Sequence, residues 1–581
     1  MNDTSINQLP LGATSSEKRP NMVAGPVDAD LDKVVDPRVP VKYRGTEADK
    51  KDMLVHRKQQ ELRRNFKYMP PDVTPLTGGI HALTEIFRFL TMTGFSSDGL
   101  AYQESQLLYK RQRRYWHALL RLRCNAVLVN HPSVLNSKIP AVTGQLTPAY
   151  RMLFVYLSVA EMASISPTAA GQYSWVSEFG PPRYQRMLSY LTGWLCATGW
   201  NTFLASVCFM VGTIIQGLIA LNDTNYGFQA WHGTLLTIAI ISLCIFWNVI
   251  LAGKLPLTEG VAVIVHICGL FAVIIPLWCL GAIADASTLT TFVNHGGWPT
   301  VGLSCMVGII GPLSITIGYD SPVHMAEEIH DASRNLPRAI LAAVGLNAFL
   351  SFLMIITLVF TQGDGGADDI TGYPFITIFY NAVQDYGGTN AMVFLAIFGL
   401  TNCAISETAT ASRQVWSFAR DSGLPFSRWL SRVSPGQNIP VRAVSVCFIV
   451  VVLLSFINLG SYVALNAINS LAAVSLLTSY MLTIGCLIWR RLFGEPLPPR
   501  KWSLGKYGLA INCIAFCLLL PLWVFAFWPL FNHPGPADLN WAFLMFFVVL
   551  LIAGANWVLK ARHQYVGPAV QIKRELEYQS S

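Results

Sequence analysis

Charged residues are scarce in this sequence. Asp, Glu, Lys and Arg make up only 13% of the 581 residues, and hydrophobic residues make up 52%, whereas about a quarter of a soluble chain is charged. So little charge excludes a fold whose whole surface faces water. The apolar residues instead occur in blocks of about 20, the length that crosses a bilayer. The sequence therefore predicts an all-α polytopic membrane protein.

The sequence also lacks the short motifs of several enzyme and pump classes. It contains no G-x-x-x-x-G-K-[ST] phosphate loop, no H-E-x-x-H zinc motif and no G-x-S-x-G nucleophile motif. Its 12 cysteines are scattered singly, without a C-x-x-C pair, which argues against a disulfide framework and a zinc site. We therefore expect neither an enzyme nor an ATP-driven pump, and no cofactor or metal.

Ten apolar blocks are long enough to be membrane spans. A shorter block, Met152 to Ile165, would add one more span if it extended upstream. The ten blocks cover residues 187–221, 232–252, 258–283, 298–319, 338–361, 390–412, 441–459, 463–489, 507–530 and 540–559.

The loops between these spans alternate in charge, which predicts the orientation of the chain. Lys and Arg are concentrated in cytoplasmic loops of membrane proteins. One set of loops contains Arg183, Lys254, Arg334, Arg420 and Arg490, and the alternate set contains neither Lys nor Arg. We therefore place the basic loops and both termini in the cytoplasm. This topology accounts for the net charge of +8, so a nucleic-acid partner is not expected.

Gly and Pro interrupt the fourth span between Gly311 and Pro322. In lipid, non-helical backbone is tolerated only where it faces protein or a cavity. Unwound backbone near the membrane midplane is where many secondary transporters bind charged or zwitterionic substrates. We interpret this break as a candidate substrate site. The alternative is a Pro-kinked helix whose free carbonyls are satisfied by neighbouring helices.

Ionisable residues within or beside the spans are further candidates. Asp320 follows the break, where a buried carboxylate can titrate and couple protons. Glu327 and Glu328 precede the basic loop from Arg334 to Arg338, which favours a cytoplasmic gate or an ion-pair network.

Glu161, His266 and Glu407 lie inside apolar blocks. Ionisable groups in such positions are expensive unless they face other helices. For all three, interior packing is favoured over a role in proton coupling or substrate binding.

Three other features concern helix packing and the outer surface. Polar residues between Asn466 and Ser479 share one face of a span, where they either line a path or bond neighbouring helices. Phe375 to Gln384 is too short to span and reads as an interfacial or lid-like helix. Asn222 begins an N-glycosylation acceptor, Asn222-Asp223-Thr224, in a loop predicted to face outward.

Four sequence blocks resemble the amino acid, polyamine and organocation superfamily, and specifically its fungal branch of amino acid, GABA and choline permeases. They lie between residues 155 and 562, roughly 70% of the chain. The blocks are Ala160 to Ser164 with Pro167 and Ala170 to Trp175; Pro181, Tyr184 and Tyr190 to Trp194; Gly318 to Glu328 with Pro337 to Ile340; and Ala411 to Arg413 with Trp416, Ala419 to Asp421 and Gly423 to Phe426.

This resemblance implies a twelve-span transporter in which spans one to five repeat as spans six to ten with inverted topology. It places Ser314, Ile315, Thr316, Ile317 and Gly318 in the unwound, substrate-binding segment of the sixth helix. It further implies alternating access and proton- or gradient-coupled uptake of an amino acid or amine. A plasma membrane location is favoured over a vacuolar one.

The sequence departs from this family where the first helix belongs. Only Leu90 to Ser97 is similar to that helix, and Tyr109 to Trp116 is strongly basic. The resulting organisation is a disordered cytosolic tail at residues 1–69, an irregular region at 70–150 replacing the first helix and part of the second, a membrane domain at 151–561 and a cytosolic tail at 562–581. Either a gene-model error or genuine divergence explains why the first helix does not match the family. Divergence would permit an inactive permease or a non-transporting nutrient sensor.

Overall fold

The structure is a computed structural model. It describes residues 35–64, except 38, 56 and 57, and residues 138–568, except 224, 286–295, 309–312, 314–315, 362–370, 436–437, 461–462, 530, 536–538 and 566. Within these residues the chain folds into helices, and the one β-type pairing is an isolated bridge between Val35 and Gln60. The predicted all-α class is therefore confirmed.

The α-helices of the described residues up to Asn556 are numbered in chain order. They are α1 (Glu47–Val55), α2 (Lys138–Ile165), α3 (Gln172–Phe179), α4 (Gln185–Asn222), α5 (Ala230–Ile250), α6 (Leu255–Leu280), α7 (Val301–Gly308), α8 (Ser321–His324), α9 (Ala332–Thr361), α10 (Pro374–Val383), α11 (Tyr386–Arg420), α12 (Ser427–Leu430), α13 (Val441–Gly460), α14 (Val463–Phe493), α15 (Gly508–Phe525) and α16 (Ala542–Asn556).

Nine of these helices are long and apolar enough to cross a bilayer, counting only described residues: α4, α5, α6, α9, α11, α13, α14, α15 and α16. They correspond to nine of the ten predicted spans. The tenth predicted span, residues 298–319, contains α7 and the interruption described below. The short block that ends at Ile165 continues upstream as α2, which begins at Lys138.

The helices divide into an inner and an outer set. The most apolar 18-residue window is 78% buried in α4 and 72% buried in α14, but only 28% in α15 and 17% in α16. α4 packs along α11 and α14, while α2 packs along α9 and α15. The exposed Leu520, Phe543 and Leu551 of the outer helices form the kind of apolar surface that lipid covers.

Ion pairs join the Lys- and Arg-rich loops at one end of the bundle, which we call the basic side. There Glu161 pairs with Arg491 and Arg500, and Asp331 pairs with Lys501 at 2.5 Å. At the opposite end, α10 forms the predicted short helix and packs against α6, α9 and α11.

Residues 35–64, within the predicted N-terminal tail, fold into a small unit on the basic side that we call the docked segment. The Thr46 N–H and hydroxyl donate to Asp49 Oδ2 at 2.9 and 2.7 Å, which caps the start of α1. Gln60 Nε2 donates to the carbonyls of Tyr43 and Leu62. Leu62 is only 1% exposed and belongs to the main apolar core. The unit thus has its own hydrogen bonds and an apolar anchor.

Candidate functional site

The chain leaves helical geometry where Gly and Pro interrupt the sequence. Helical conformation occurs at Leu313 and Thr316, whereas Ile317 and Gly318 are not helical and α8 begins at Ser321. Gly318 has a φ of +106°, a conformation essentially restricted to glycine. The predicted site residues Thr316, Ile317 and Gly318 therefore lie at a break in the backbone. Ser314 and Ile315 lie outside the described residues.

A single hydroxyl, that of Tyr156 on α2, holds the broken backbone in place. It donates to the Thr316 carbonyl at 2.8 Å and accepts from the N–H groups of Gly318 at 3.1 Å and Tyr319 at 3.4 Å. A backbone N–H or carbonyl group left without a partner in a membrane interior would cost on the order of several kcal/mol. Tyr156 thus satisfies three groups that an unbroken helix would have paired internally.

Aromatic rings surround this break. The Tyr156 and Tyr319 ring centroids lie 5.1 Å apart and those of Tyr156 and Tyr480 lie 6.1 Å apart, both edge to face. A Cβ atom placed on Gly318 would lie 3.6 Å from the Trp200 ring and 3.7 Å from the Phe203 ring. The break therefore lies against a wall of π-surfaces, which attract cations through their negative faces.

Asp320 lies two residues beyond the break and is fully buried. Gln172 Nε2, from the first turn of α3, donates to its Oδ2, and the Tyr480 hydroxyl from α14 donates to its Oδ1. Among the described residues no Lys or Arg lies within 4 Å of this carboxylate. Asp320 is thus a buried acid held by two uncharged donors.

His324 lies one turn after Asp320, and both of its ring nitrogens have hydrogen-bond partners. Nε2 faces the Trp200 indole N–H at 3.1 Å, which can only donate, and Nδ1 faces the Ala169 carbonyl at 3.1 Å, which can only accept. Its Nε2 also lies 3.8 Å from Asp320 Oδ2.

The α2–α3 turn reaches this site because of a glycine. Gly171, immediately before Gln172, has a φ of +56°, and a Cβ atom there would lie 2.9 Å from the His324 ring. Only glycine allows the turn to approach His324 so closely while presenting Gln172 to Asp320. Sequence reasoning proposed Asp320 but missed its partners Gln172 and Tyr480. It also missed Tyr156, the partner of the broken backbone. Gln172 and His324 nevertheless lie within the blocks that carry the family resemblance.

Glu327 and Glu328, predicted to form a gate or an ion-pair network, form two buried ion pairs on the basic side. Glu327 receives both terminal nitrogens of Arg420, at 2.6 and 3.1 Å, and Glu328 receives Arg413 Nε at 2.7 Å. Burial raises the pKa of Glu327, but Arg420, with Lys58 and Arg64 nearby, outweighs burial and holds the pKa below its ordinary value. These pairs connect the segment after α8 to α11.

Glu161 is completely buried and joins α2 to the end of α14 and the following loop. Its carboxylate pairs with Arg491 and with Arg500, the latter at 2.9 Å, and accepts the N–H of Leu504 at 3.2 Å. The packing role favoured from the sequence stays a prediction beside these contacts. They leave Glu161 away from the contacts that hold Asp320.

The docked segment also connects the segment after α8 to the end of α11. Arg64 donates to the carbonyls of Ala326 and Ile329, and Lys58 Nζ lies 3.4 Å from Asp421 Oδ2 at the end of α11. Burial lowers the pKa of the Lys58 ammonium, although Asp421 opposes the shift. One folded segment therefore contacts both sides of the Glu327–Arg420 pair.

A second residue holds Asp421 in place. The Tyr173 hydroxyl from α3 donates to Asp421 Oδ2 at 2.8 Å, and the Ser417 hydroxyl lies 3.0 Å from the same phenol oxygen. Tyr173 also packs against Phe418. The acid at the end of α11 is thus bound by a phenol from the interior and by an ammonium from the docked segment.

The remaining candidates lie apart from the break. His266 is buried on α6, and Glu407 is buried on α11 with Cys403 Sγ 3.5 Å from its Oε1. The side chain of Asn222 is exposed and exchanges amide hydrogen bonds of 2.9 and 3.0 Å with Asn390. In the polar stripe of α14, Asn469 binds Ser206 and Thr478 binds Trp523, so these two members bond neighbouring helices.

Comparison with known proteins gives concordant matches. The family model described as amino acid permease matches residues 133–552. A Macrophomina phaseolina protein classed as an amino acid/polyamine transporter is 33% identical over 375 residues, which are 63% of this chain and 82% of that protein. An uncharacterised amino-acid permease of Schizosaccharomyces pombe is 27% identical over 77% of this chain and 83% of its own. The choline transporter of Saccharomyces cerevisiae is 27% identical over 64% of this chain and 66% of its own.

Proposed function

The chain belongs to the amino acid permease family, and we propose that it is a secondary active transporter for amino acids or related amines such as GABA or choline. The family match and the membrane-length helices establish a multi-pass membrane protein of a transporter family. The relatives named for amino acids, polyamines and choline support amines as the substrate class.

The observation that carries this proposal is the broken backbone at Thr316 to Gly318 beside Asp320. A substrate amine carries a positive charge, and Asp320 is a buried acid with no Lys or Arg within 4 Å among the described residues. The rings of Tyr156, Tyr319 and Trp200 suit an ammonium group or a quaternary amine. In this proposal the substrate forms hydrogen bonds with the backbone groups at the break. In this structure the Tyr156 hydroxyl binds those groups.

Alternating access requires a face that opens and closes, and we assign that role to the basic side. The Glu327–Arg420 and Glu328–Arg413 pairs span from the segment after α8 to α11. The docked segment covers the same boundary. All these contacts are formed in this structure, which supports a conformation closed at the basic side. Release toward the basic side then requires the Glu327 and Glu328 pairs to separate.

We further propose that the energy source is the proton gradient and that the basic side is cytoplasmic. The sequence has no phosphate-binding loop that would support ATP-driven transport. The distribution of Lys and Arg among the loops supports the orientation. The plasma membrane is the proposed location.

Uptake measurements test the transport proposal. We expect cells that express the protein to accumulate at least one radiolabelled compound from a panel of neutral amino acids, GABA, choline and spermidine, with saturable kinetics. Cells carrying the empty vector control for background uptake. A protonophore should abolish accumulation above the external concentration, because the gradient is then dissipated.

Two other outcomes would overturn the proposal. Saturable binding of a panel compound to purified protein without accumulation in cells would indicate a sensor. Neither binding nor accumulation of any panel compound, in cells where a fluorescent fusion of the protein reaches the membrane, would contradict a transport function for amines.

A further inference from the structure

One more acid lies within a membrane-spanning helix, and none of the roles described above uses it. Glu259 is the fifth residue of α6 and is only 6% exposed. Among the described residues, its carboxylate has one hydrogen-bond partner, the Ser406 hydroxyl of α11, at 3.4 Å from Oε1. No Lys or Arg in the described residues pairs with it, unlike Glu161, Glu327 and Glu328, which each pair with an Arg. Ionisable groups so placed in transporters commonly serve ion or proton pathways.

The chemistry of the partner distinguishes Glu259 from the buried acids that pair with Arg. An Arg guanidinium or a Gln amide nitrogen only donates, so it favours the charged carboxylate. A hydroxyl both donates and accepts. Ser406 can donate to the ionised carboxylate and, after rotation of its O–H bond, can accept from the protonated acid. Both protonation states of Glu259 therefore keep one hydrogen bond without movement of a helix.

The charged groups around Glu259 do not neutralise it. The helices packed against α6 are α9, α10 and α11. Their titratable groups are Arg334 and Arg338 on α9, Tyr380 on α10, and Tyr386, Cys403, Glu407, Arg413 and Arg420 on α11; Lys254 precedes α6, and His266, Cys268 and Cys279 lie on it.

Arg413, the nearest of these bases in sequence to Ser406, is engaged by Glu328 at 2.7 Å. Lys254, five residues before Glu259, has an exposed side chain. Neither base forms an ion pair with Glu259. Among the described residues, the acid is thus left with one neutral hydrogen-bond partner and no basic partner.

We propose that Glu259, with Ser406, is the proton-binding site of this transporter. A proton delivered by water forms an O–H bond with the carboxylate, and its release to water on the basic side breaks that bond and restores the charge. The position of Glu259 near the start of α6, which follows Lys254 on the basic side, suits release in that direction. The coupling of this proton to transport rests on the proposed function, whereas proton binding itself does not.

Infrared difference spectroscopy between acid and neutral pH on the purified protein tests proton binding without any substrate. We expect a protonated-carboxyl band that Glu259→Gln removes and that Ser406→Ala shifts by removing its hydrogen bond. Glu495→Gln is the control, because Glu495 is a solvent-exposed acid at the basic side. An unchanged spectrum in both Glu259→Gln and Ser406→Ala would overturn the proposal. Glu259→Asp keeps the test decisive if Glu259→Gln does not fold, since it must retain a shifted band.

Transport measurements test the coupling, using whichever panel compound the wild-type protein accumulates. In proteoliposomes with an imposed pH gradient, Glu259→Gln should reduce the accumulation ratio to about one, because no coupling free energy remains. Exchange of labelled for unlabelled compound across the same membranes should persist. Undiminished gradient-driven accumulation by Glu259→Gln would contradict the assignment. Absence of accumulation by the wild-type protein would instead contradict the proposed function and leave the infrared result to decide proton binding.

Discussion

The acids at the basic side and the acids inside the bundle have different kinds of partner. Glu161, Glu327 and Glu328 each contact an Arg side chain. Asp320 is held by an amide and a phenol, and Glu259 by a hydroxyl. Arg partners keep an acid ionised and fix two helices together, whereas neutral partners leave it able to bind a cation or a proton. The acids at the basic side therefore hold helices together, whereas the acids inside the bundle are able to bind and release a cation or a proton.

The sharpest test of this contrast is to remove one Arg from the basic side. Arg420→Ala leaves Glu327, which is fully buried, without its bidentate partner. We expect a loss of about 3 to 5 kcal/mol in the free energy of unfolding, the range for breaking a buried ion pair. Thermal unfolding in detergent, followed by size-exclusion chromatography, measures the loss.

Arg490→Ala is the matched control for this loss, because its partner Glu495 is 78% exposed. A pair of this kind contributes about 0 to 1 kcal/mol. The double variant Glu327→Gln with Arg420→Gln should recover part of the loss, because no uncompensated charge remains buried. Equal stability of Arg420→Ala and Arg490→Ala would refute the cohesive role of the Glu327–Arg420 pair.

Inside the bundle, Gly318→Ala should impair transport more than abundance. Its φ of +106° is rarely adopted by residues with a side chain, and such strain costs on the order of 1 to 3 kcal/mol. The backbone would have to change where the substrate is proposed to bind. Uptake normalised to the amount of protein in the membrane is the measurement.

The control for Gly318→Ala is Gly345→Ala. Gly345 lies within α9, and a Cβ atom there meets open space. Alanine favours a helix by up to about 1 kcal/mol over glycine, so this variant should keep its uptake and gain slightly in stability. If Gly318→Ala also transports normally, the broken backbone is not the substrate site.

Removal of the Tyr156 hydroxyl probes the same region with a smaller change in shape. Tyr156→Phe leaves the Thr316 carbonyl and two N–H groups without their partner. An unsatisfied buried group costs about 1 to 3 kcal/mol, so uptake should fall by about tenfold, the equivalent of 1.4 kcal/mol. Tyr184→Phe, at a ring that is 51% exposed, serves as the control. Equal uptake by the two variants would show that the hydroxyl does not maintain the site.

The smallest effect is expected where the docked segment meets Asp421. Lys58→Ala removes one partner of this acid, but the Tyr173 hydroxyl remains at 2.8 Å. We expect a loss of about 1 kcal/mol, which raises amide hydrogen exchange in residues 35–64 about fivefold. Lys501→Ala, which removes an exposed ion pair with Asp331, should leave that exchange unchanged. Unaltered exchange in Lys58→Ala would show that Asp421 does not anchor the segment.

The membrane-spanning part of the fold could be predicted from sequence because lipid imposes a simple length rule. Apolar blocks such as 232–252 and 441–459 appear as α5 and α13 with similar bounds. The docked segment could not be predicted in this way. It is polar, and Leu62 is buried in a core formed by distant parts of the chain rather than by a local periodic pattern.

The site was also predictable only in part, because some of its residues come together only in the folded structure. Gly and Pro signal a broken helix directly, so the region of Gly318 could be found. The hydroxyl and amide partners could not, since Tyr156, Gln172 and Ser406 have residue types that occur throughout the spans. Their roles depend on which helices meet in three dimensions. Glu259 was missed because its position near a span end did not distinguish it from a loop residue.

The docked segment also has a consequence for the order of assembly. Lys58 precedes its partner Asp421 by 363 residues, and Arg63 precedes its partner Asn438 by 375. A ribosome makes the N-terminal part first, so the segment must wait until α11 and the loop after it have been synthesised and inserted. The segment that is translated first is thus the last to reach its final contacts. Protection of residues 35–64 from protease would therefore mark molecules whose membrane insertion is complete.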